Sequence, residues 1–361
     1  MASNRRVLGA LAILVLCVCT SPASDAPASA DKGKPHIVVL ATGGTIAGAQ
    51  ASQTQQGYKS GTFKVEDLIA AVPTMKDLAD MSGEQIVNIG SQDMNDEVWL
   101  KLAKRLNEVL KDENVDGVVI THGTDTMEET AYFLDLVVKS DKPVVMVGSM
   151  RPATAVSADG PANLYNAVAV AVDPGASGRG TLIVMNDEIH GGRDIEKMNT
   201  TSLQTMASPE RGAQGLVNTG KIVWFEPSMK KHTSASEFDV TEAATLPRVD
   251  ILYAHANMSP DLITAAVKNG AKGIVIAGVG DGNFTTQALE AVKRAIAKGT
   301  VVVRSTRVGE GIVRRNIEVD DDKVGTVVSK ELNPSKARVL LKLSLTQSSD
   351  PKKVQEFFDK Y

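Results

Sequence analysis

Seven short apolar runs punctuate the chain, at His36–Leu40, Gly117–Ile120, Val144–Val147, Leu182–Met185, Ile251–Tyr253, Ile274–Ile276 and Val301–Val303. They are continuous rather than alternating, as strands covered on both faces of a parallel sheet read. Polar stretches with helical spacing lie between them. Asp96–Leu110 places Leu102, Leu106 and Val109 on one face, and Thr126–Val138 opens with Thr126-x-x-Glu129, which predicts a helix started by a capping box. The alternation predicts an α/β fold with right-handed crossovers. From Glu226 to Pro247 the chain offers Pro, Ser, Thr, Lys and His without a sustained apolar period, and a fresh βα alternation begins at Val249. That segment reads as a linker between domains at 31–225 and 248–361, or as a long ordered loop within one domain.

The first thirty residues change the compartment. Arg5 and Arg6 precede a 12-residue apolar stretch, Val7–Val18, and Ala28-Ser29-Ala30 gives a small-x-small cleavage site ahead of Asp31. This reads as a signal peptide, 1–30, for secretion into the periplasm; the alternative is an anchor or buried helix, although twelve residues do not span a bilayer. Cys17 follows Leu16 and Cys19 follows Val18, where a lipoprotein signal places a small residue, and Gly9 interrupts the apolar stretch after the twin arginines. Both cysteines lie inside the segment to be removed. The mature chain is then expected to hold no disulfide, thiol nucleophile, cysteine metal site or membrane contact. The net charge of −4, with no basic stripe, argues against a nucleic-acid partner.

In open α/β sheets ligands bind beyond the carboxyl ends of the strands, so the chemistry is sought there. The first run ends in Ala41-Thr42-Gly43-Gly44-Thr45-Ile46-Ala47-Gly48, and another ends in Thr121-His122-Gly123-Thr124-Asp125-Thr126. Paired glycines allow a sharp turn or a close approach, and a helix dipole beginning after Asp125 favours negative charge. Taken singly, the first is also a plain glycine turn and the second a helix cap; two threonine-bearing turns together are more telling. Ile89–Asp96 forms a polar loop in which Ser91 and Gln92 suit the charged groups of an amino acid. Asn186-Asp187-Glu188 and Gly191–Lys197 put Lys197 in another polar loop, as a base if its pKa is depressed and otherwise as a solvated lysine. The five histidines show no paired ligand spacing, no Walker lysine follows a glycine loop, and Asn283 occupies the third position of the dinucleotide pattern begun at Gly278. No metal and no cofactor is expected.

The two threonine motifs, with Gly90-Ser91-Gln92-Asp93, Met150-Arg151-Pro152, Ser157-Ala158-Asp159-Gly160, Lys231-His232-Thr233 and Leu332-Asn333-Pro334, closely resemble those of the bacterial-type L-asparaginases. The resemblance spans nearly the whole mature chain, and the export signal makes it similar to the periplasmic type II enzymes. It implies a larger N-terminal α/β domain with a mainly parallel sheet and a smaller C-terminal α/β domain. It also implies a homotetramer built as a dimer of tight dimers, hydrolysing L-asparagine through an acyl-threonine. Carried over by motif, Thr45 is the nucleophile with Tyr58 beside it in a mobile loop, and Thr124, Asp125 and Lys197 form a second catalytic group. Gly44, Ser91, Gln92, Thr124 and Asp125 hold the substrate, with Asn283 and Glu318 reaching in from a neighbouring subunit. Two departures stand out: Ser140 occupies the place of a family disulfide cysteine, and the loop from Gln50 to Gly57 is individual. Two other readings share these features: a glutaminase-asparaginase, whose relatives tend to carry Glu and Ser where this chain has Gln92 and Asn283, and a periplasmic amino-acid binding protein, which needs no Thr45, Thr124 and Lys197 together.

Overall fold

The computed structural model describes residues 33–54 and 57–361, so the signal-peptide reading over 1–30 lies outside the described residues. The chain enters through β1 (His36–Gly43), crosses a small antiparallel hairpin of β2 (Ala49–Gln50) and β3 (Tyr58–Lys59), and returns through α1 (Val65–Ala70) to β4 (Asp80–Ile89). It continues with α2 (Asp96–Lys111), β5 (Gly117–Thr121), α3 (Met127–Val137), β6 (Val144–Val147), α4 (Gly160–Val172) and β7 (Thr181–Met185). These strands are parallel in the order β4-β1-β5-β6-β7. The sheet is completed antiparallel by β8 (Glu188–Gly191), which leads to the two-residue pair β9 (Glu196–Lys197) and β10 (Met206–Ala207), and then by β11 (Gly215–Asn218) and β12 (Lys221–Trp224).

A second sheet follows, with β13 (Val249–Tyr253), α5 (Asp261–Lys268), β14 (Gly273–Gly278), α6 (Thr286–Ala297), β15 (Val301–Thr306), α7 (Asp321–Val324) and β16 (Val327–Val328), all parallel in the order 13-14-15-16. Helices α8 (Pro334–Ser344) and α9 (Pro351–Lys360) close the chain. The expected architecture, a larger N-terminal sheet that is mainly parallel and a smaller parallel C-terminal one, is what forms.

Every apolar run read as a strand is one, and most extend further. β1 runs on to Gly43 because its end pairs with β4 and the Thr42 hydroxyl donates to the Thr121 carbonyl, 2.8 Å away. Two local readings need correction. Thr126 does stand at the N-cap of α3, but no capping box forms: its hydroxyl donates to the Ser91 carbonyl at 2.8 Å, and Glu129 pairs instead with Arg338 of α8. Asn186-Asp187 is not part of a polar site loop. Both residues have positive φ, as a two-residue hairpin turn between β7 and β8 requires, and Lys197 beyond it belongs to strand β9.

One apolar core covers the face of the large sheet under α2 and α3 and continues through Phe238, Val240 and Leu246 into α8, α9 and the small sheet. A second lies under α1 and α4, and a third under α5 and α6. Helix α8 is the shared layer. It packs on β14 and β13 on one side and on α3 on the other, and its Lys342 reaches Asp96 of α2 at 2.6 Å. Within 226–247, Phe238 is fully buried against Phe357 and Tyr361, with ring centroids 5.2 and 5.0 Å away. Emptying a buried aromatic site of this kind costs about 3–5 kcal/mol. Phe238→Ala should therefore lower the urea midpoint of the folded protein by that equivalent, in one transition for both sheets; an unchanged midpoint would show that the cluster is not a stabilising contact.

Candidate active site

The site forms where the strand order reverses, at the carboxyl ends of the neighbouring strands β4, β1 and β5, the position at which open α/β sheets bind ligands. Gly43 ends β1 and Gly44 follows it, with φ of 107° and 83°, conformations open to glycine. A side chain on Gly44 would have its Cβ 2.4 Å from the Gly123 nitrogen, and one on Gly123 would meet Ser91 Oγ at 2.5 Å. The Gly44 and Gly123 turns thus touch backbone against backbone, and the Ser91 side chain packs against Gly123.

Thr45 opens a 3-10 turn, Thr45–Ala47, and is buried. Its Oγ1 lies 2.8 Å from the hydroxyl of Tyr58, which hairpin β2–β3 brings over it. The hairpin is anchored to the same turn, since the amide of Gly61 donates to the Gly44 carbonyl and those of Thr62 and Phe63 to the Ala47 carbonyl. Tyr58 itself is 45% exposed, so the pair sits at the mouth of the site.

The second turn carries Thr124, whose buried hydroxyl accepts from Lys197 Nζ at 2.9 Å and donates to Met150 Sδ at 3.5 Å. Lys197 Nζ also donates to Asp125 Oδ1 at 2.6 Å, and Asp125 is open to solvent. The lysine is held at its backbone. Its amide donates to Glu128 Oε2 at 2.8 Å, and Glu128 Oε1 accepts from Asn333 Nδ2, the residue that caps α8. Glu128 and Asn333 carry no role in the motif reading, although Asn333 lies inside one of its motifs and Glu128 two residues beyond another.

Ser91 is buried and accepts from the Asp125 amide at 3.2 Å, which leaves its hydroxyl proton to a ligand. The exposed Gln92 folds its amide back over Gly90 and makes no hydrogen bond to the described residues. Gly44 donates its amide to the Ile89 carbonyl and accepts at its carbonyl from Ala47 and Gly61, so what it supplies is room rather than a free amide.

Asn283 and Glu318 are not brought to this cluster within the chain. They meet each other, Asn283 Nδ2 donating to Glu318 Oε2 at 2.7 Å, beyond the carboxyl ends of β14 and β15. Among the described residues no group of three or more His, Cys, Asp and Glu side chains is arranged to hold a metal ion, and no helix is long and apolar enough to cross a membrane.

Fold and site together define a two-sheet α/β protein built around a threonine-centred polar site. Residues 36–230 match the family described as "Asparaginase, N-terminal" and residues 248–358 match "Glutaminase/Asparaginase C-terminal domain", and the chain belongs to this asparaginase family. It is 54% identical over 327 residues to "L-asparaginase 2" of Escherichia coli, covering 91% of this chain and 93% of the relative. It is 53% identical over 327 residues, with the same coverage, to "Probable L-asparaginase periplasmic" of Haemophilus influenzae. The "Glutaminase-asparaginase" of Pseudomonas fluorescens is 45% identical over 357 residues, 98% of each chain. Among solved structures, a "Probable Cytoplasmic L-asparaginase" of Campylobacter jejuni superposes with a TM-score of 0.88 at 48% identity, over 91% of this chain and all of that one.

His122, between the strand and the Gly123 turn, is wholly buried, with Nδ1 2.7 Å from the Gly123 carbonyl; burial pushes its pKa down to about 4. The folded state therefore disfavours the imidazolium while the unfolded chain accepts it below pH 6.5. Stability tied to His122 is complete above pH 6.5 and is lost as the pH falls to about 4, to a limit of about 3 kcal/mol. His122→Asn should show a correspondingly shallower loss of unfolding free energy over that window than the parent. Asp135, pushed up to about 6 by burial, acts in the opposite sense in both proteins and cancels in the difference. Parallel curves would overturn the assignment.

Proposed function

We propose that this protein is an L-asparaginase, an amidohydrolase that converts L-asparagine and water to L-aspartate and ammonia through an acyl-threonine. The observation that carries it is the Thr45 Oγ1–Tyr58 OH contact of 2.8 Å, set in a glycine turn against the Thr124–Lys197–Asp125 chain. A hydroxyl attacks well only when a neighbour takes its proton. Thr45 Oγ1 attacks the side-chain amide carbon while the Tyr58 hydroxyl takes up its proton and releases its own toward the amide nitrogen. The tetrahedral oxyanion collapses, ammonia leaves with that proton, and an ester joins Thr45 to the aspartyl group. Water then attacks the ester, giving its proton through Tyr58 back to Thr45. The Thr45 N–H stands first in its 3-10 turn without an intrahelical acceptor and is a donor for the oxyanion, whereas the Gly44 amide is committed.

Ser91, Gln92 and Asp125 hold the α-carboxylate and α-ammonium groups, and the Thr124–Lys197–Asp125 chain is the second catalytic group. The mature protein is a homotetramer in the periplasm after removal of residues 1–30, with domains 31–225 and 248–361 joined by 226–247. Each site is shared, Asn283 and Glu318 coming from a neighbour; their pairing away from Thr45 in the single chain supports this. Relatives named as glutaminase-asparaginases match at 45% identity, which keeps broader amide specificity as a second reading. One methylene separates the substrates, and a pocket discriminates that by about 1–3 kcal/mol. Gln92 and Asn283, where the broader enzymes tend to carry Glu and Ser, favour asparagine.

Ammonia release from asparagine, compared with glutamine, tests the reading; binding without release would instead mark a binding protein. Thr45→Ala should lose about three orders of magnitude in turnover while the folded protein still binds aspartate, and Thr45→Ser should retain part of the rate. Lys197→Met should abolish turnover with little change in melting temperature, where a merely solvated lysine would alter neither.

A further inference from the structure

We propose that Arg304, locked by Asp321, is a positioning residue that presents Asn283 and Glu318 as one rigid unit to the neighbouring subunit's Thr45 and Tyr58; this rests on the shared-site reading above. Arg304 lies on β15 and is 1% exposed, and its guanidinium uses all five of its donors. Nε and Nη2 bind the two carboxylate oxygens of Asp321 at 2.7 and 2.9 Å. Nη1 donates to the carbonyls of Asp281 and Gly282, at 3.1 and 3.2 Å, the two residues that lead into Asn283. Nη2 also reaches the Arg314 carbonyl at 3.1 Å, in the loop that leads into Glu318.

Asp321 completes the arrangement from the other side. It accepts from the amide of Asn316 at 2.9 Å, two residues before Glu318, and from the Thr326 hydroxyl at 2.5 Å. The two loops are further stitched by Asp281, whose carboxylate accepts from the amide and Nε of Arg314 at 2.8 and 2.9 Å. Gly282 has φ of 74°, and a Cβ there would lie 2.8 Å from Val313 Cγ1, so the Val313 side chain packs directly on the Gly282 backbone. At the tip, Asn283 and Glu318 share their 2.7 Å hydrogen bond.

Stability alone does not call for this design. A buried ion pair is commonly no better than an apolar pair of the same volume, because both charges must be desolvated. What an apolar pair would lack is the set of donors aimed at three carbonyls in two separate loops. A planar guanidinium supplies them in a fixed fork, and lysine does not.

The test uses the full assembly carrying Arg304→Lys, which keeps the charge opposite Asp321 but loses the fork. Its kcat/KM on asparagine should fall by roughly ten- to a hundredfold, as displacement of a remote support does, and should fall no further when Glu318→Gln is added, because residues acting as one unit are not additive. The defect should be complemented in trans. After dissociation and reassembly, Arg304→Lys subunits mixed with Thr45→Ala subunits should regain activity, whereas the same subunits mixed with Glu318→Gln should not. Arg314→Ala, an exposed change in the same stitching, should show the pattern at smaller amplitude and serves if Arg304→Lys does not fold. Parent-like kinetics, or additive losses with Glu318→Gln, would overturn the proposal. So would recovery of Glu318→Gln but not Arg304→Lys by Thr45→Ala, and that result leaves the shared site standing. Failure of both mixtures despite hybrid formation would remove the shared site itself.

Discussion

The contact of two glycine turns, Gly44 against Gly123 with Ser91 wedged beside them, is the constraint on which the site depends. A Cβ on Gly44 would lie 2.4 Å from the Gly123 nitrogen and one on Gly123 would lie 2.5 Å from Ser91 Oγ, so the turns after β1, β5 and β4 pack with no room for a larger residue at either glycine. That contact sets Thr45 and Thr124, each the residue after its glycine, in adjacent turns. It also explains where the hydrogen bonds of the turns go. Thr126 gives up the capping role its position suggests and ties its helix to the Ser91 turn, and the Gly44 amide holds β4. The Gly44 backbone groups are thus spent on the turns themselves, while the Thr45 amide, the Ser91 hydroxyl proton and the Gln92 side chain are not.

Strands covered on both faces were legible because burial on two sides leaves no polar position to break the run. β4 was not legible as a strand along its length: it is the edge of the sheet, and its outward residues are exposed, so only its end at Ile89 stood out. The capping box in Thr126-x-x-Glu129 was a sound local inference overruled by tertiary partners, Ser91 and Arg338. In the site, Thr45 and Thr124 could be picked out from their turns, but the pairing of Thr45 with Tyr58 depends on a hairpin of two-residue strands too short to carry a pattern. It was reached through resemblance to a family. Arg304 and Glu128 were passed over, yet Arg304 had a signal: a lone charge in the continuous run Val301-Val302-Val303-Arg304, where a buried strand tolerates a cation only with a partner.

The two sheets are bound in different ways. Apolar contact runs unbroken from the large sheet through 226–247 into α8 and α9, so the small sheet is fixed by shared burial. Polar contacts crossing the same boundary do more selective work. Asn333, at the start of α8, reaches Glu128, which holds the backbone of Lys197, and the fully buried Lys336 lies 3.9 Å from Glu196 next to it. Position at the Thr124 side of the site is thus set partly by the C-terminal helix, whereas the Thr45 side is set within the first sixty or so residues of the large sheet.

Hairpin β2–β3 is fastened at its base to the turn that bears Thr45, through the amides of Gly61, Thr62 and Phe63. Further out, Gln53 meets a different neighbour, its carbonyl accepting from the Val156 amide. The arrangement separates two evolutionary problems. Side chains between the two strands can change without touching those three bonds, so the Thr45–Tyr58 pair keeps its register. An individual sequence from Gln50 to Gly57 is compatible with that, because the bonds that fasten the hydroxyl pair to its turn are all made by residues outside it.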